Sequence, residues 1–217
     1  MNKKRVAAVT AALFVVLVAA SVLVSASISV GTKEGDWIEY QVATSGSPPG
    51  DHDAQWARME VKNVQGTVIN LNVTTQFQNG TFLVENVTLN LETGQIGDAF
   101  FIPADLTEGE SFFDAHQGNI TIESVQQKTY GDAPRSVASG RTPQTTFYWD
   151  QQTGVLVEAH STYPEYNFSI DTVMDKTNMW QPQVIGLEDA VLYVFAAVAT
   201  GVVAVIAYRV AVRHRRT

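Results

Sequence analysis

Four stretches of this chain alternate apolar and polar residues with a period of two, which confines them to strands with one buried face and one wet face. Ile38, Tyr40 and Val42 alternate with Glu39 and Gln41, and Met59 and Val61 with Arg58, Glu60 and Lys62. Ile69, Leu71, Val73, Thr75 and Phe77 alternate with Asn70, Asn72 and Thr74; Val87, Leu89 and Leu91 alternate with Asn86, Thr88 and Asn90. Turn signals stand between such runs at Asn79-Gly80, Thr93-Gly94 and Thr153-Gly154. Asn79-Gly80, between Phe77 and Phe82, is the strongest hairpin signal in the chain. Ser45 to Asp53 predicts a loop, because Pro48 and Pro49 cannot serve a central strand. Pro103 to Glu110 predicts an acidic connection. The pattern predicts an all-β domain: an antiparallel, meander-like curved sheet, a half-barrel or a sandwich.

Two long apolar segments bracket that domain. Lys3, Lys4 and Arg5 precede an uncharged run over 6–28, the pattern of an export signal. Val24-Ser25-Ala26 fits cleavage after Ala26, and the run is also long enough to stay as an anchor. Ala190 to Tyr208 is uncharged, preceded by Glu188 and Asp189 and followed by Arg209, Arg213, Arg215 and Arg216. Positive charge collects on the cytoplasmic side of a membrane, so this segment predicts a transmembrane helix with its tail inside. Ala197 and Gly201 make a small-xxx-small pair on it. The expected organisation is a signal peptide or N-terminal membrane anchor (1–31), an extracellular β domain (32–174), a juxtamembrane linker (175–186), a transmembrane helix (187–208) and a basic cytoplasmic tail (209–217). Trp180 falls where an interfacial aromatic of the linker would sit.

Between the apolar ends lie five N-x-Ser/Thr sequons, at Asn72, Asn79, Asn86, Asn119 and Asn167. Nine Asn and 26 Ser or Thr among residues 32–186 would give about one or two by chance. Asn72 and Asn86 fall on the polar phase of their strands, Asn79 lies in the hairpin turn, Asn119 opposes Ile120 and Ile122, and Asn167 opposes Phe168 and Ile170. All five are thus expected to face solvent and to carry glycans. A face decorated at Asn72 and Asn86 is a poor place for a tight protein interface.

Residues 32–186 carry seven basic and twenty acidic side chains, a formal charge of −13 against −8 for the whole chain. Such a surface repels nucleic acid and anionic lipid. Cysteine is absent, which excludes thiol chemistry, disulfide staples and Cys-based zinc sites. The four histidines, His52, His116, His160 and His214, form no HExxH or other metal-spaced pair. Asp51-His52-Asp53 and the set Asp105, Glu108, Glu110 and Asp114 match no cation-binding loop and read as solvated acidic loops. No GxSxG elbow, P-loop or GxGxxG occurs. No catalytic residue, metal or cofactor is therefore expected.

The aromatic residues are more informative. Phe100-Phe101, Phe112-Phe113 and Phe147-Tyr148-Trp149 are adjacent, so each set must send rings to both strand faces. Some must then lie under a covering segment or line a concave apolar pocket.

Two phrases carry a resemblance. Gly35-Asp36-Trp37-Ile38-Glu39-Tyr40 resembles the opening strand of uncharacterised archaeal membrane-anchored cell-surface proteins. Tyr148 to Glu158 (YWDQQTGVLVE) resembles a hairpin of those proteins and of periplasmic lipoprotein-carrier half-barrels, where a strand ends in Asp and restarts after Thr-Gly. The resemblance implies a curved antiparallel sheet and no catalytic residue; this sequence departs from the carriers in offering no segment for their covering helix. The expected function is that of a membrane-anchored surface glycoprotein, non-catalytic, serving envelope structure or contact with a surface protein. The alternative is a module that binds an apolar, lipid-like ligand in a concave sheet.

Overall fold

The computed structural model describes residues 28–48 and 53–182. The first apolar segment except its last residue, Ile28, the whole of the second, the proposed cleavage site, the basic tail, Ala197, Gly201, Asp51, His52 and His214 lie outside the described residues. Among those described, no helix is long and apolar enough to cross a membrane.

Ten strands form one antiparallel sheet: β1 (Trp37–Gly46), β2 (Ala54–Gln65), β3 (Val68–Phe77), β4 (Phe82–Asn90), β5 (Ser111–Asp114), β6 (Gly118–Tyr130), β7 (Ala133–Arg141), β8 (Thr145–Asp150), β9 (Leu156–Tyr163) and β10 (Phe168–Thr177). Their spatial order is β4-β3-β2-β1-β10-β9-β8-β7-β6-β5. Two meanders are thus joined at the centre, where the first strand pairs with the last from Ile38↔Thr177 to Gly46↔Phe168. The expected all-β antiparallel architecture holds. The second layer of a sandwich is absent from the described residues, and its place on the inner face is taken by the segment linking β4 to β5.

The predicted alternation sets the register. Ile38 and Tyr40, Met59 and Val61, Ile69 and Leu71, and Leu89 and Leu91 are all buried on the inner face. The β3–β4 hairpin turns at Asn79-Gly80, with Gly80 at φ +83. The β8–β9 hairpin turns through Asp150, whose Oδ1 accepts hydrogen bonds from the backbone N–H (2.9 Å) and hydroxyl (2.7 Å) of Thr153. Gly154 follows at φ +71, and a Cβ there would collide with the carbonyl oxygen of Ile102. The Asp-x-x-Thr-Gly phrase is therefore a packed turn, not a loop tip.

Residues 91–110 cross the inner face without a helix. Their own side chains Leu91, Ile96, Phe101 and Ile102 are buried against the sheet, each contributing roughly 1–3 kcal/mol of burial. The segment's backbone is hydrogen-bonded to the sheet: Leu156 N–H donates to Phe100 O (2.9 Å) and Ile102 N–H to Gly154 O (2.9 Å). Trp149, fully buried, donates Nε1–H to Ala99 O at 2.6 Å. Its ring stacks on Phe147 (5.2 Å) and meets Phe112 edge-on (5.4 Å). Asp98 and Ala99 both take positive φ at the bend that makes this approach possible.

Both ends of the described chain lie at one end of the sheet. Ser29 O accepts from Ala104 N–H, and Ile28 and Val30 pack on the core. Asn178 Nδ2 donates to Gly35 O. Trp180 differs from its expected place at a membrane interface: it is buried, donates Nε1–H to Tyr130 O (3.0 Å), and lies under the Arg135 guanidinium at 4.7 Å. β10 runs to Thr177, so the first residues assigned to a linker belong to the folded domain. The reason is that Gly131 closes the β6–β7 turn beside the Trp180 ring and leaves room for it. Trp180→Ala should therefore lower unfolding stability by about 3 kcal/mol, measured by denaturant titration; an interfacial tryptophan would leave it unchanged.

Candidate functional site

The covering segment fills only part of the inner face. Over the remainder the sheet encloses a cleft of about 410 Å³. Its walls are Tyr40 and Val42 on β1, Ala57 and Met59 on β2, Val73 and Thr75 on β3, Thr145 and Phe147 on β8, Ala159 and Ser161 on β9, and Ile170 and Thr172 on β10. β3 and β8 are five strand spacings apart, about 24 Å in a flat sheet. That residues of both line one cleft measures how strongly the sheet curves. Phe100, from the covering segment, is its floor, held edge-on against Tyr40 at 5.6 Å.

Small side chains make the space. Ala57 pairs with Thr75 on one side and Tyr40 on the other, and Ala159 pairs with Phe147 and Thr172. Alanine at these inward positions leaves a void between the larger side chains around it. Polar groups are interspersed among them, Thr75, Thr172 and Gln117 included. Thr145 and Ser161 hydroxyls bond to each other at 2.9 Å, and the Tyr40 hydroxyl donates to Leu156 O at 2.9 Å. Burial pushes the Tyr40 hydroxyl pKa far up, so it stays a neutral donor. Asp98 is the one ionisable carboxylate on the lining, and its Oδ1 lies 3.2 Å from His116 Nδ1.

The cleft reaches the end of the sheet opposite the chain ends, where β2 and β8 begin and β9 stops at Tyr163. Three sequons lie at that same end. Asn79 sits in the β3–β4 turn, where its Oδ1 accepts from Thr81 N–H (2.9 Å) and Thr81 Oγ1–H (2.7 Å). Asn119 is exposed at the start of β6. Asn167 does not occupy a strand position as its neighbours suggest: it caps the single 3-10 turn Pro164–Tyr166 at φ 53, and it is exposed. Asn86 is exposed on the outer face of β4, whereas Asn72 is half-buried on β3. The two are direct cross-strand partners, and Asn72 Nδ2 donates to Asn86 Oδ1 at 3.3 Å.

The adjacent aromatics divide between faces as their spacing requires. Phe147 and Trp149 point inward while Tyr148 lies outside under the Lys128 ammonium, 3.5 Å from its ring centre. Phe112 is buried and Phe113 is 52% exposed. The acidic set does not converge: Glu110 Oε2 binds Thr107 N–H and hydroxyl, Asp114 Oδ1 caps His116 and Gln117, and no metal-holding group of three occurs among the described residues.

One cluster is absent from any sequence reading. On the outer face, β9 and β10 set His160 between two carboxylates, with Nδ1 2.7 Å from Asp171 Oδ1 and Nε2 2.6 Å from Glu158 Oε1. Glu158 also accepts from the Tyr130 hydroxyl and faces Lys128 Nζ at 3.8 Å. These residues come from β6, β9 and β10, so only the register brings them together. The Asp171 hydrogen bond, partly opposed by desolvation and aided by Glu158, raises the His160 pKa. Partial burial disfavours the Glu158 anion, but the Tyr130 and His160 hydrogen bonds and the Lys128 and His160 charges together outweigh it and lower its pKa. Imidazolium is the one form of His160 that donates to both partners.

A histidine with a raised folded pKa stabilises the fold fully below its unfolded pKa, roughly 6.5. That contribution is lost as pH rises through the folded value. Stability curves of the wild type and His160→Gln should therefore differ most on the acid side and converge above the folded pKa, and Asp171→Asn should lower that pKa in an NMR titration. For the sequons, mass spectrometry of the mature protein should find Asn79 and Asn167 more fully occupied than Asn72, whose amide is tied to Asn86.

No protein-family model matches the chain, and no curated protein matches it. Among solved structures, a protein of YmcC-like fold from Bacteroides fragilis, described as exported, is similar at a TM-score of 0.41 and 9% identity, covering 70% of this chain and 99% of its own. A protein from Parabacteroides distasonis, described as a lipoprotein, is similar at a TM-score of 0.40 and 10% identity, covering 70% of this chain and 98% of its own. The likeness to both is a weak one of structure.

Proposed function

We propose that this chain is an exported, membrane-anchored surface glycoprotein whose β domain is a non-catalytic module that holds one apolar or amphipathic molecule in the concave face of its sheet. The observation that carries the reading is the cleft: a concavity in which Ala57 and Ala159 sit among aliphatic and aromatic side chains, with threonine, serine, Gln117 and Asp98 groups interspersed on its lining. A volume of about 410 Å³ suits a single acyl chain or a compact apolar ring system, not a folded partner. On its lining the Thr145 and Ser161 hydroxyls bond to each other and the Tyr40 hydroxyl donates to Leu156 O, so these three are engaged with neither histidine nor lysine.

Topology supports the same reading from the sequence side. The basic residues at both chain ends and the sequons between them suit a domain outside the membrane with its tail in the cytoplasm. Because both ends of the described chain lie opposite the mouth of the cleft, an anchored domain would present that mouth away from its own membrane.

The full chain, purified in detergent from a glycosylating host, should bind an apolar fluorophore such as N-phenylnaphthylamine saturably, at one molecule per domain. Ala57→Trp and Ala159→Trp, which fill the cleft, should each weaken that binding at least tenfold while leaving the circular dichroism of the sheet intact. Binding that is not saturable, or that both fillings leave unchanged, would refute the cleft as the site.

A further inference from the structure

We propose that the cleft takes a cationic amphiphile, with its apolar body against the curved sheet and an ammonium head on Asp98; this rests on the reading of the cleft as a site for an apolar or amphipathic molecule. Asp98 is the one carboxylate on the lining, and no Lys or Arg of the described residues lines it. Its side chain is 63% exposed, so it stands at the rim, where the head of a bound amphiphile would meet water. Oδ1 lies 3.2 Å from His116 Nδ1, and Oδ2 has no hydrogen-bond partner among the described residues. The His116 ring is itself mostly exposed, so a ligand can displace it. Gln117, next in the chain and exposed on the same lining, adds an amide oxygen. An ammonium group has three N–H donors and no acceptor, and these oxygens suit it.

A backbone conformation that is costly to hold puts Asp98 there. Gly97, Asp98 and Ala99 take φ of 59°, 54° and 62° in succession, and Phe100 N–H closes the turn on Gly97 O at 3.3 Å. Only the first is glycine, so two L residues sit side by side in the left-handed region. Ala99 is turned into the core, where its carbonyl accepts from the Trp149 indole, and Asp98 is turned to the cleft. Strain of this kind clusters at ligand clamps, where a side chain has to be aimed.

The remaining charges select the sign of the head. Each of the seven Lys and Arg side chains among the described residues already lies within 3.8 Å of a carboxylate. An anionic head would find no unpaired Lys or Arg there, and it would enter the field of a domain with a formal charge of −13. On β4, Glu85 pairs with Val73 of the cleft wall, so it adds a second carboxylate to the concave face. A neutral amphiphile gains nothing from this arrangement. A cationic one gains a charge-assisted hydrogen bond beside an apolar wall.

Competition against N-phenylnaphthylamine tests this on the full chain in phosphatidylcholine nanodiscs at neutral pH. Both competitors, decylammonium and decanoate, also enter the bilayer, so the ratio of their potencies is compared between variants. In the wild type decylammonium should displace the fluorophore at a concentration at least tenfold below that of decanoate. Asp98→Asn should cut that ratio at least threefold while the fluorophore binds as in the wild type, since asparagine holds the left-handed conformation as aspartate does. Asp132→Asn, an equal change of charge in the β6–β7 turn, should leave the ratio unchanged. Equal potencies in the wild type, or a ratio that Asp98→Asn leaves intact or Asp132→Asn cuts as deeply, overturn this inference and leave the cleft reading standing. A wild type that binds the fluorophore without saturation refutes the cleft reading and this inference with it.

Discussion

A sheet curved enough to bring β3 and β8 to one cleft has a concave apolar face that must be covered, and everything else here follows from how that face is divided. Residues 91–110 cover the half nearer the chain ends, and they do so as bare backbone. A segment without a helix can be buried only if its amides and carbonyls find partners. Here they find the β8–β9 turn, the first residue of β9 and the Trp149 indole. Trp149 matters most, because it joins the covering backbone, the stacked Phe147 and the edge-on Phe112 in one contact set.

The other half of the face is left open, and the molecule is polar in the architectural sense as a result. At one end sit both chain ends, Trp180 and the packed Asp150–Gly154 turn. At the other sit the cleft mouth, Asn79, Asn119 and Asn167. A ligand entering the cleft would approach from the side that carries the sequons, and the outer β4 edge descends from that same side.

The convex face is stabilised differently, by side chains that satisfy each other across strands. Arg58 reaches Glu39 at 2.6 Å and covers the Trp37 ring at 4.1 Å. Lys128, Tyr148, Glu158, His160 and Asp171 form a second such group. Much of this surface is within reach of water, so its ion pairs are individually weak; their value lies in holding the register of β6, β9 and β10.

The alternation of residues such as Ile38-Glu39-Tyr40 and Ile69-Asn70-Leu71 determined by itself that the domain is antiparallel β and which side chains face inward, because a period of two admits one assignment of faces. Turn chemistry likewise determined the hairpins at Asn79-Gly80 and Thr153-Gly154. Nothing local could say that β1 and β10 pair at the centre, since that contact joins residues some 140 positions apart. The cleft had no sequence signal either: Ala57 and Ala159 are unremarkable alanines until the sheet's curvature sets them between large neighbours. Trp180 reads as a membrane-interface residue by position and is core by packing. Asn167 reads as a strand residue by its neighbours and is a left-handed cap. Faces and turns are written in nearest-neighbour chemistry, whereas curvature, strand order and the clustering of His160 with its carboxylates depend on which strands meet, and only the tertiary structure decides that.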